Sequence, residues 1–304
     1  MLLAARHARH REFEPLLPSR YETEEAAREE VEEVWSAEGA SGAIAFRDGR
    51  AVGYLIAARR KAEEWGDNVW VELAGHAVED AEDIRDLYAG AAARWFEEGN
   101  RRHYVLVPAH DSSLIDAWFR LGFGHQQGYG IREVPAHTDV HVPEGFEIRE
   151  PREEDIDQLV PIDIALPSYQ RSSPVFSPRP LPTVDEIKAE WHKTLAGDDE
   201  RLLIGCADGK PVACWSVCAA ELSRHYNGLG LPERACYLAF ASTLPEARGS
   251  GIGVALTDAS LAAAARDGYT AMVTDWRVTN LLASRFWPKR GFRPAFYRLY
   301  RSIP

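Results

Sequence analysis

Along this chain the spacing of apolar and polar positions alternates between the periods of strand and helix, and the order of the alternation occurs twice. In the first half an acidic helix over Tyr21 to Val34 precedes two short runs, Gly42 to Phe46 and Ala51 to Ile56, on either side of Asp48-Gly49. That dipeptide between apolar runs predicts a two-residue hairpin, because both turn residues need positive φ. A strand over Val69 to Leu73, a helix over Glu82 to Glu97, a strand over His103 to Val107 and a helix over Ser112 to Leu121 follow. That last helix ends in Gly122-Phe123, before a final strand over Tyr129 to Val134.

The second half runs in the same order. Phe146 to Glu150 reads as a strand and Glu153 to Leu166 as a helix, with Ile156, Leu159, Val160 and Ile164 on one face. A Pro- and Ser-rich passage, Pro167 to Pro182, separates it from a helix over Val184 to Leu195. Leu202 to Cys206 and Pro211 to Val217 flank Asp208-Gly209, a second hairpin. After an irregular passage from Glu221 to Arg234 come a strand over Ala235 to Thr243, a helix over Val254 to Ala265 and a strand over Thr270 to Asp275. A helix from Asn280 to Arg290, closed by Gly291-Phe292, leads to a last strand over Ala295 to Tyr300. The pattern predicts two copies of one mixed α/β fold, residues 1–136 and 146–304, joined near His137 to Glu144.

One join sets the copies apart. Between strand and helix the second copy has Leu244-Pro-Glu-Ala-Arg248-Gly249-Ser250-Gly251-Ile252-Gly253. Alternate glycines let the backbone turn tightly there, and a helix start leaves amide N–H groups unpaired with the positive end of the dipole behind them. Such a place suits a phosphate. The stretch is neither a P-loop, since it lacks Gly-Lys-Ser/Thr, nor the dinucleotide fingerprint, since its glycines follow Gly-x-Gly-x-Gly. In the first copy Gly75 to Asp83 stands in its place, with no Arg and with Glu79, Asp80, Glu82 and Asp83 near the helix start. That charge predicts a copy that does not take the anion, although acids at a helix start are also ordinary capping chemistry.

The stretch Pro245-Glu246-x-Arg248-Gly249-x-Gly251-Ile252-Gly253 resembles the Arg/Gln-x-x-Gly-x-Gly/Ala signature of the GNAT superfamily of N-acetyltransferases. Asn280, Ala283, Phe286, Gly291 and Phe292 resemble the late-helix pattern of the same family. The resemblance implies two tandem GNAT-like domains, the first degenerate, each a mostly antiparallel mixed sheet with a splayed parallel pair flanked by helices. It implies acetyl-CoA as co-substrate, with acetyl passing to a primary amine of a small molecule by direct attack in a ternary complex. Thr243 and Leu244 would then offer main-chain groups to the pantetheine arm, and the N–H of Leu244 would polarise the thioester carbonyl. Arg248, Gly249, Ser250, Gly251, Ile252 and Gly253 would hold the pyrophosphate, with Asn280 on the late helix completing the cofactor site.

For proton transfer the chain departs from the family. The tyrosine expected four residues before the helix-ending glycine is Trp287 here, and an indole N–H does not release a proton at neutral pH. Ser284, one turn earlier, Tyr237 and solvent are the remaining donors. The strand from Ala235 to Thr243 has no carboxylate, so the base falls to Asp275, whose other reading is a cap or an ion-pair partner of Arg277. Glu221 and His225 are weaker candidates for contact with the acceptor.

Composition narrows the picture further. At 304 residues, 45% hydrophobic and with nine Trp, the chain can fill two cores. It has no apolar run long enough for a membrane span, and its start, Met1 to Arg6, is charged too soon for a signal peptide, so a cytoplasmic protein without a membrane partner is expected. Cys206, Cys214, Cys218 and Cys236 lie in strand-like segments and read as free core thiols, and no metal site is expected. The net charge is −12. Residues 1–144 hold 16 Lys/Arg against 27 Asp/Glu and residues 145–304 hold 19 against 20, so the first half carries −11 and the second −1. Nucleic acid is not an expected partner without a basic stripe. An acidic first half either draws a cationic amine or only keeps the chain soluble. Two alternatives stay open: an acyl-CoA-binding sensor or scaffold without turnover, and a mycothiol-synthase-like acetyltransferase.

Overall fold

A computed structural model describes residues 1–62, 66–223 and 226–304. They form two compact units, neither contiguous in sequence: Met1–Tyr129 with Asn227–Pro232 and Pro294–Pro304, and Gly130–Tyr226 with Glu233–Arg293. The chain runs through α1 (Leu2–Phe13), α2 (Glu24–Ser36), β1 (Ser41–Arg47), β2 (Arg50–Ala62), β3 (Gly66–Val71), β4 (His76–Val78), α3 (Asp83–Glu97), β5 (Arg102–Pro108), α4 (Ser112–Arg120) and β6 (Gly124–Glu133). It continues with β7 (Phe146–Arg149), α5 (Ile156–Arg171), α6 (Val184–Ala196), β8 (Glu200–Ala207), β9 (Lys210–Ala219), β10 (Ala235–Thr243), α7 (Ile252–Arg266), β11 (Ala271–Arg277), α8 (Ala283–Lys289) and β12 (Arg293–Ser302).

In the first unit the strand order is β1-β2-β3-β5-β12-β6, with β4 paired to β2. The last strand of the chain thus completes the sheet of the first unit, antiparallel to β5 from Phe296↔Pro108 to Ser302↔Arg102. Its core gathers Leu55, Val69, Val71, Val105 and Val107 under Ile84, Leu87 and Trp95 of α3 and Leu114 and Trp118 of α4. In the second unit the order is β6-β11-β10-β9-β8-β7. One core, with Trp215, Leu238, Ile252, Met272 and Trp287, lies under α7 and α8, and another, with Leu159, Trp191, Ile204 and Cys214, lies under α5 and α6.

Both hairpins turn as their Asp-Gly pairs require, with φ of 52° and 76° at Asp48 and Gly49 and 47° and 74° at Asp208 and Gly209. Cys206, Cys214 and Cys236 are buried free thiols, and Cys218 is half-buried. No helix among the described residues is long and apolar enough to cross a membrane.

Three elements differ from the sequence reading. Helix α1 was not foreseen, because the residues it buries at helical spacing are polar: Arg6, His7 and His10 stand beside Leu3 and Ala4. Helix α5 passes through Pro161 and Pro167 to Arg171, so the Pro- and Ser-rich passage begins later than Pro167. Each proline removes one backbone hydrogen bond, and burial of Ile156, Leu159, Val160 and Ile162 holds the helix regardless. The stretch read as Val69 to Leu73 ends at Val71, and His76–Val78, assigned from sequence to the loop, is a strand of its own on β2.

Candidate active site

The second unit has a wedge in its sheet. Strands β10 and β11 pair in parallel only from Ala235↔Ala271 to Tyr237↔Val273, and then part. A bulge in β10 between Leu238 and Phe240 shifts its register on β9, after which the two strands stay paired as far as Thr243↔Ala213. The Leu244 amide continues this ladder by donating to the Val212 carbonyl at 2.9 Å. Because backbone groups alternate in direction along a strand, Phe240 and Ser242 also face β9, whereas Ala241 and Thr243 turn theirs into the gap.

This corrects the reading of Leu244. Its N–H belongs to the β9 ladder, and its side chain packs with the core under α5 and α6. Thr243 does face the cleft, and its carbonyl accepts from Arg248 Nε at 3.2 Å. The Arg248 guanidinium lies over the Tyr169 ring, 5.6 Å from its centroid.

The loop that follows is shaped by its own polar groups. Pro245–Ala247 forms a 3-10 turn, and Gly251 adopts φ 94°, a conformation that costs an L side chain about 1 kcal/mol or more, before α7 begins at Ile252. Ser250 Oγ donates to the Ala247 carbonyl at 2.8 Å and accepts from the Ile252 amide at 3.3 Å. The Ile252 side chain is fully buried. Ser250 and Ile252 therefore build the loop and do not line the cleft beside it. The amides of Gly249, Gly251 and Gly253 have no acceptor among the described residues. Three donors without an acceptor among the described residues thus stand at the start of a 15-residue helix, where the dipole favours negative charge.

Beside these amides lies a cleft of about 410 Å³, lined by Tyr169 of α5, Trp215, Ala241, Thr243, Phe286 and Trp287 as well as Arg248, the three glycines and Asn280. Asn280 is buried, and its Oδ1 accepts from the amides of Leu282 and Ala283 at 3.1 Å each, which caps the helix carrying Phe286 and Trp287. Trp287 meets Phe286 and Phe292 edge to face, at 4.9 and 5.5 Å. The first unit repeats this arrangement. Trp118 stands four residues before Gly122 and meets Phe123 edge to face at 4.8 Å. A Trp at this position is a packing residue in both units. Ser284, half-buried on α8, does not line the cleft, and neither do Tyr237 and Asp275.

Asp275 lies on β11 just beyond the last paired residue, and accepts from the Tyr237 hydroxyl on β10 at 2.6 Å. The carboxylate and phenol thus meet where the strands separate. Tyr226, 5.8 Å from the Tyr237 ring, donates its hydroxyl to the Thr274 carbonyl at 2.6 Å. On α5, one turn before the cleft residue Leu166, burial raises the Asp163 carboxyl above its usual range, and the Trp191 indole partly offsets this. Glu221 is exposed in a 3-10 turn, and His225 lies outside the described residues. Among the described residues no group of His, Cys, Asp or Glu could hold a metal ion. Sequence reasoning missed Tyr169, Val254 and Ala241 as cleft residues, since only register and helix packing bring them there.

Residues 164–292 match the model of the acetyltransferase (GNAT) family. Over this stretch the chain matches a GNAT acetyltransferase domain. The matched span begins inside α5 and ends at Phe292, so it includes the glycine loop, the wedge and the capped helix α8. A GCN5-related N-acetyltransferase from Sphaerobacter thermophilus is similar over 90% of this chain and 85% of its own, with a TM-score of 0.58 at 14% identity. A glucosamine N-acetyltransferase region of a fungal multi-domain β-N-acetylglucosaminidase is similar over 93% of this chain and 34% of that one, with a TM-score of 0.51 at 16% identity. These likenesses concern the fold, and they extend across both units. No curated protein matches the sequence. GNAT enzymes take acyl groups from acyl-coenzyme A to amines. The unpaired amides of Gly249, Gly251 and Gly253 suit the pyrophosphate of that co-substrate, and the gap-facing groups of Ala241 and Thr243 suit the amide-bearing pantetheine arm.

Proposed function

We propose that this protein transfers acetyl from acetyl-CoA to a primary amine of a small molecule, and that the second unit, residues 146–292 in the main, carries the reaction. The observation behind this reading is the set of three free amides at the start of α7, opening onto a cleft that follows the edge of β10. The pyrophosphate is held at Gly249, Gly251 and Gly253, with Arg248 beside it. The pantetheine arm pairs with Ala241 and Thr243 as an added strand. The N–H of Ala241, in place of that of Leu244, polarises the thioester carbonyl, where a donor fixed in a dry cleft stabilises developing charge.

In this reading the amine attacks directly in a ternary complex. The nitrogen bonds to the acyl carbon, the carbon–sulfur bond breaks, and coenzyme A leaves as the thiolate. Asp275, fixed by Tyr237, accepts the proton of the incoming ammonium and passes it to water. The second nitrogen proton, released as the amide forms, reaches the thiolate by relay through the Tyr237 hydroxyl or through solvent, since Trp287 has none to give. The acceptor is a small amine, cationic before it reacts; neither nucleic acid nor membrane is a partner, and the protein works in the cytoplasm. The packing role of Trp287 in both units favours one second reading, a sensor that binds acyl-CoA without turnover.

Acetyl-CoA incubated with a panel of small amines separates the two. Free thiol appearing with at least one amine supports the enzyme. Tight binding of coenzyme A with no thiol release from any amine supports the sensor.

A further inference from the structure

Both units contain the wedge, and they fill it differently. In the first, β3 and β5 pair in parallel from Asn68↔Arg102 to Val71↔Val105 and part; the chain then turns through Leu73–Gly75 and resumes as β4 on β2. Two hydrogen bonds place the units in common register. Glu79 N–H donates to the Val52 carbonyl at 2.9 Å, as Leu244 N–H does to that of Val212, and each valine stands three residues after its hairpin glycine. Counting back three residues, His76 occupies the position of Ala241. By the same alternation both direct their backbone groups into the gap.

What meets those groups differs. In the first unit the His76 carbonyl accepts from Nη1 of Arg6, which projects from α1. The His76 imidazole crosses the gap, and its Nε2–H donates to the Leu106 carbonyl of β5 at 2.8 Å. Arg6 is 3% exposed, and His76 and Trp118 are fully buried. In the second unit the corresponding side chain is the methyl of Ala241, and it borders the cleft. The helix starts differ as well. The amides of Glu82, Asp83, Ile84 and Arg85 find acceptors on Asp80, Ala81 and Glu82. Glu79 and Asp83, whose charge was expected to repel phosphate, are ion-paired with Arg50 and Arg47.

We propose that Arg6 and His76 are a built-in occupant of the first wedge, taking there the place that acyl-CoA takes beside Ala241. One chain then binds one coenzyme A, and the side chain at position 76 or 241 decides which copy is open. The proposal rests on the reading of the second unit as the coenzyme A site.

Calorimetry with coenzyme A itself tests it. Wild-type protein is expected to bind one equivalent. Ala241→His, which copies the crossing imidazole into the second wedge, is expected to lose measurable binding while its melting temperature and circular dichroism stay those of a folded protein. Two equivalents on the wild type, or undiminished binding by folded Ala241→His, overturn the proposal. No heat from the wild type overturns the coenzyme A reading of the second unit, and the proposal with it. The double variant Arg6→Ala/His76→Ala, if folded, is expected to gain a second, weaker equivalent; a folded double variant that still binds only one counts against the closure.

Discussion

At the scale of single residues, the Tyr237–Asp275 pair and Gly251 make separable contributions. Asp275 lies at the parting of β10 and β11, outside the contacts expected of the cofactor. Asp275→Asn is therefore expected to leave the dissociation constant of coenzyme A unchanged and to lower acetyl transfer about 10²- to 10⁴-fold, the usual worth of a positioned acid or base. Calorimetry and thiol release read the two quantities independently, and a variant that loses both has lost the fold. Gly251 acts on binding instead. Its φ of 94° is open to glycine and strained for alanine, so Gly251→Ala is expected to lower stability by about 1 kcal/mol and to weaken coenzyme A binding as the loop rotates its amides away. The candidate chemistry of both residues was legible from sequence. The committed amide of Leu244 was not, because a strand's neighbour and register decide which edge each N–H faces.

At the scale of elements, the buried histidines of α1, β4 and β5 set how the first unit responds to acid, two of them on α1. Its His7 and His10 are buried, and desolvation pushes them from 6.5 down to about 4 and about 3. Burial lowers His76 to about 3 and His103, bonded to the Tyr88 hydroxyl, to about 4. Each imidazole is neutral in the folded state, whereas the unfolded chain takes up its proton near 6.5. Stability from these groups is thus complete above pH 6.5 and falls as the pH drops from there towards 4. At pH 5 each costs about 2 kcal/mol and the four together about 8 kcal/mol, comparable with the whole stability of a domain. Acid titration followed by near-ultraviolet circular dichroism is expected to show cooperative loss of tertiary signal around pH 5. A signal unchanged down to pH 4 would mean that these side chains are hydrated.

At the scale of the whole molecule, the unit and the stretch of sequence are different objects. Strand β12 lies between β5 and β6 in the first unit, with Arg298 buried against Gln126 at 2.7 Å and the Tyr129 hydroxyl at 3.1 Å. Leu299 is fully buried in the same unit. Removing residues 294–304 exposes the edges of two interior strands and deletes buried side chains. That truncation is expected to abolish amide-exchange protection at Val105 and Val107, far away in sequence, and to lower the melting temperature. Retained protection there would show that β5 does not depend on β12. No cut between residues 136 and 146 yields the first unit intact, since its sheet takes in residues from the end of the chain.

What was determined locally could be read locally. Hairpins at Asp48-Gly49 and Asp208-Gly209, the glycine loop and the capped helix at Asn280 follow from turn chemistry and helix termini within a few residues. Helix α1 escaped because polar side chains occupy its buried stripe, and periodicity registers apolar ones. The extension of α5 through two prolines, the placement of β12, the parity that points Ala241 into a gap and Leu244 away from it, and the closing of one wedge by Arg6 and His76 all depend on partners distant in the chain. Only the tertiary structure brings those partners together, because side-chain direction in a sheet reverses with a single step of register.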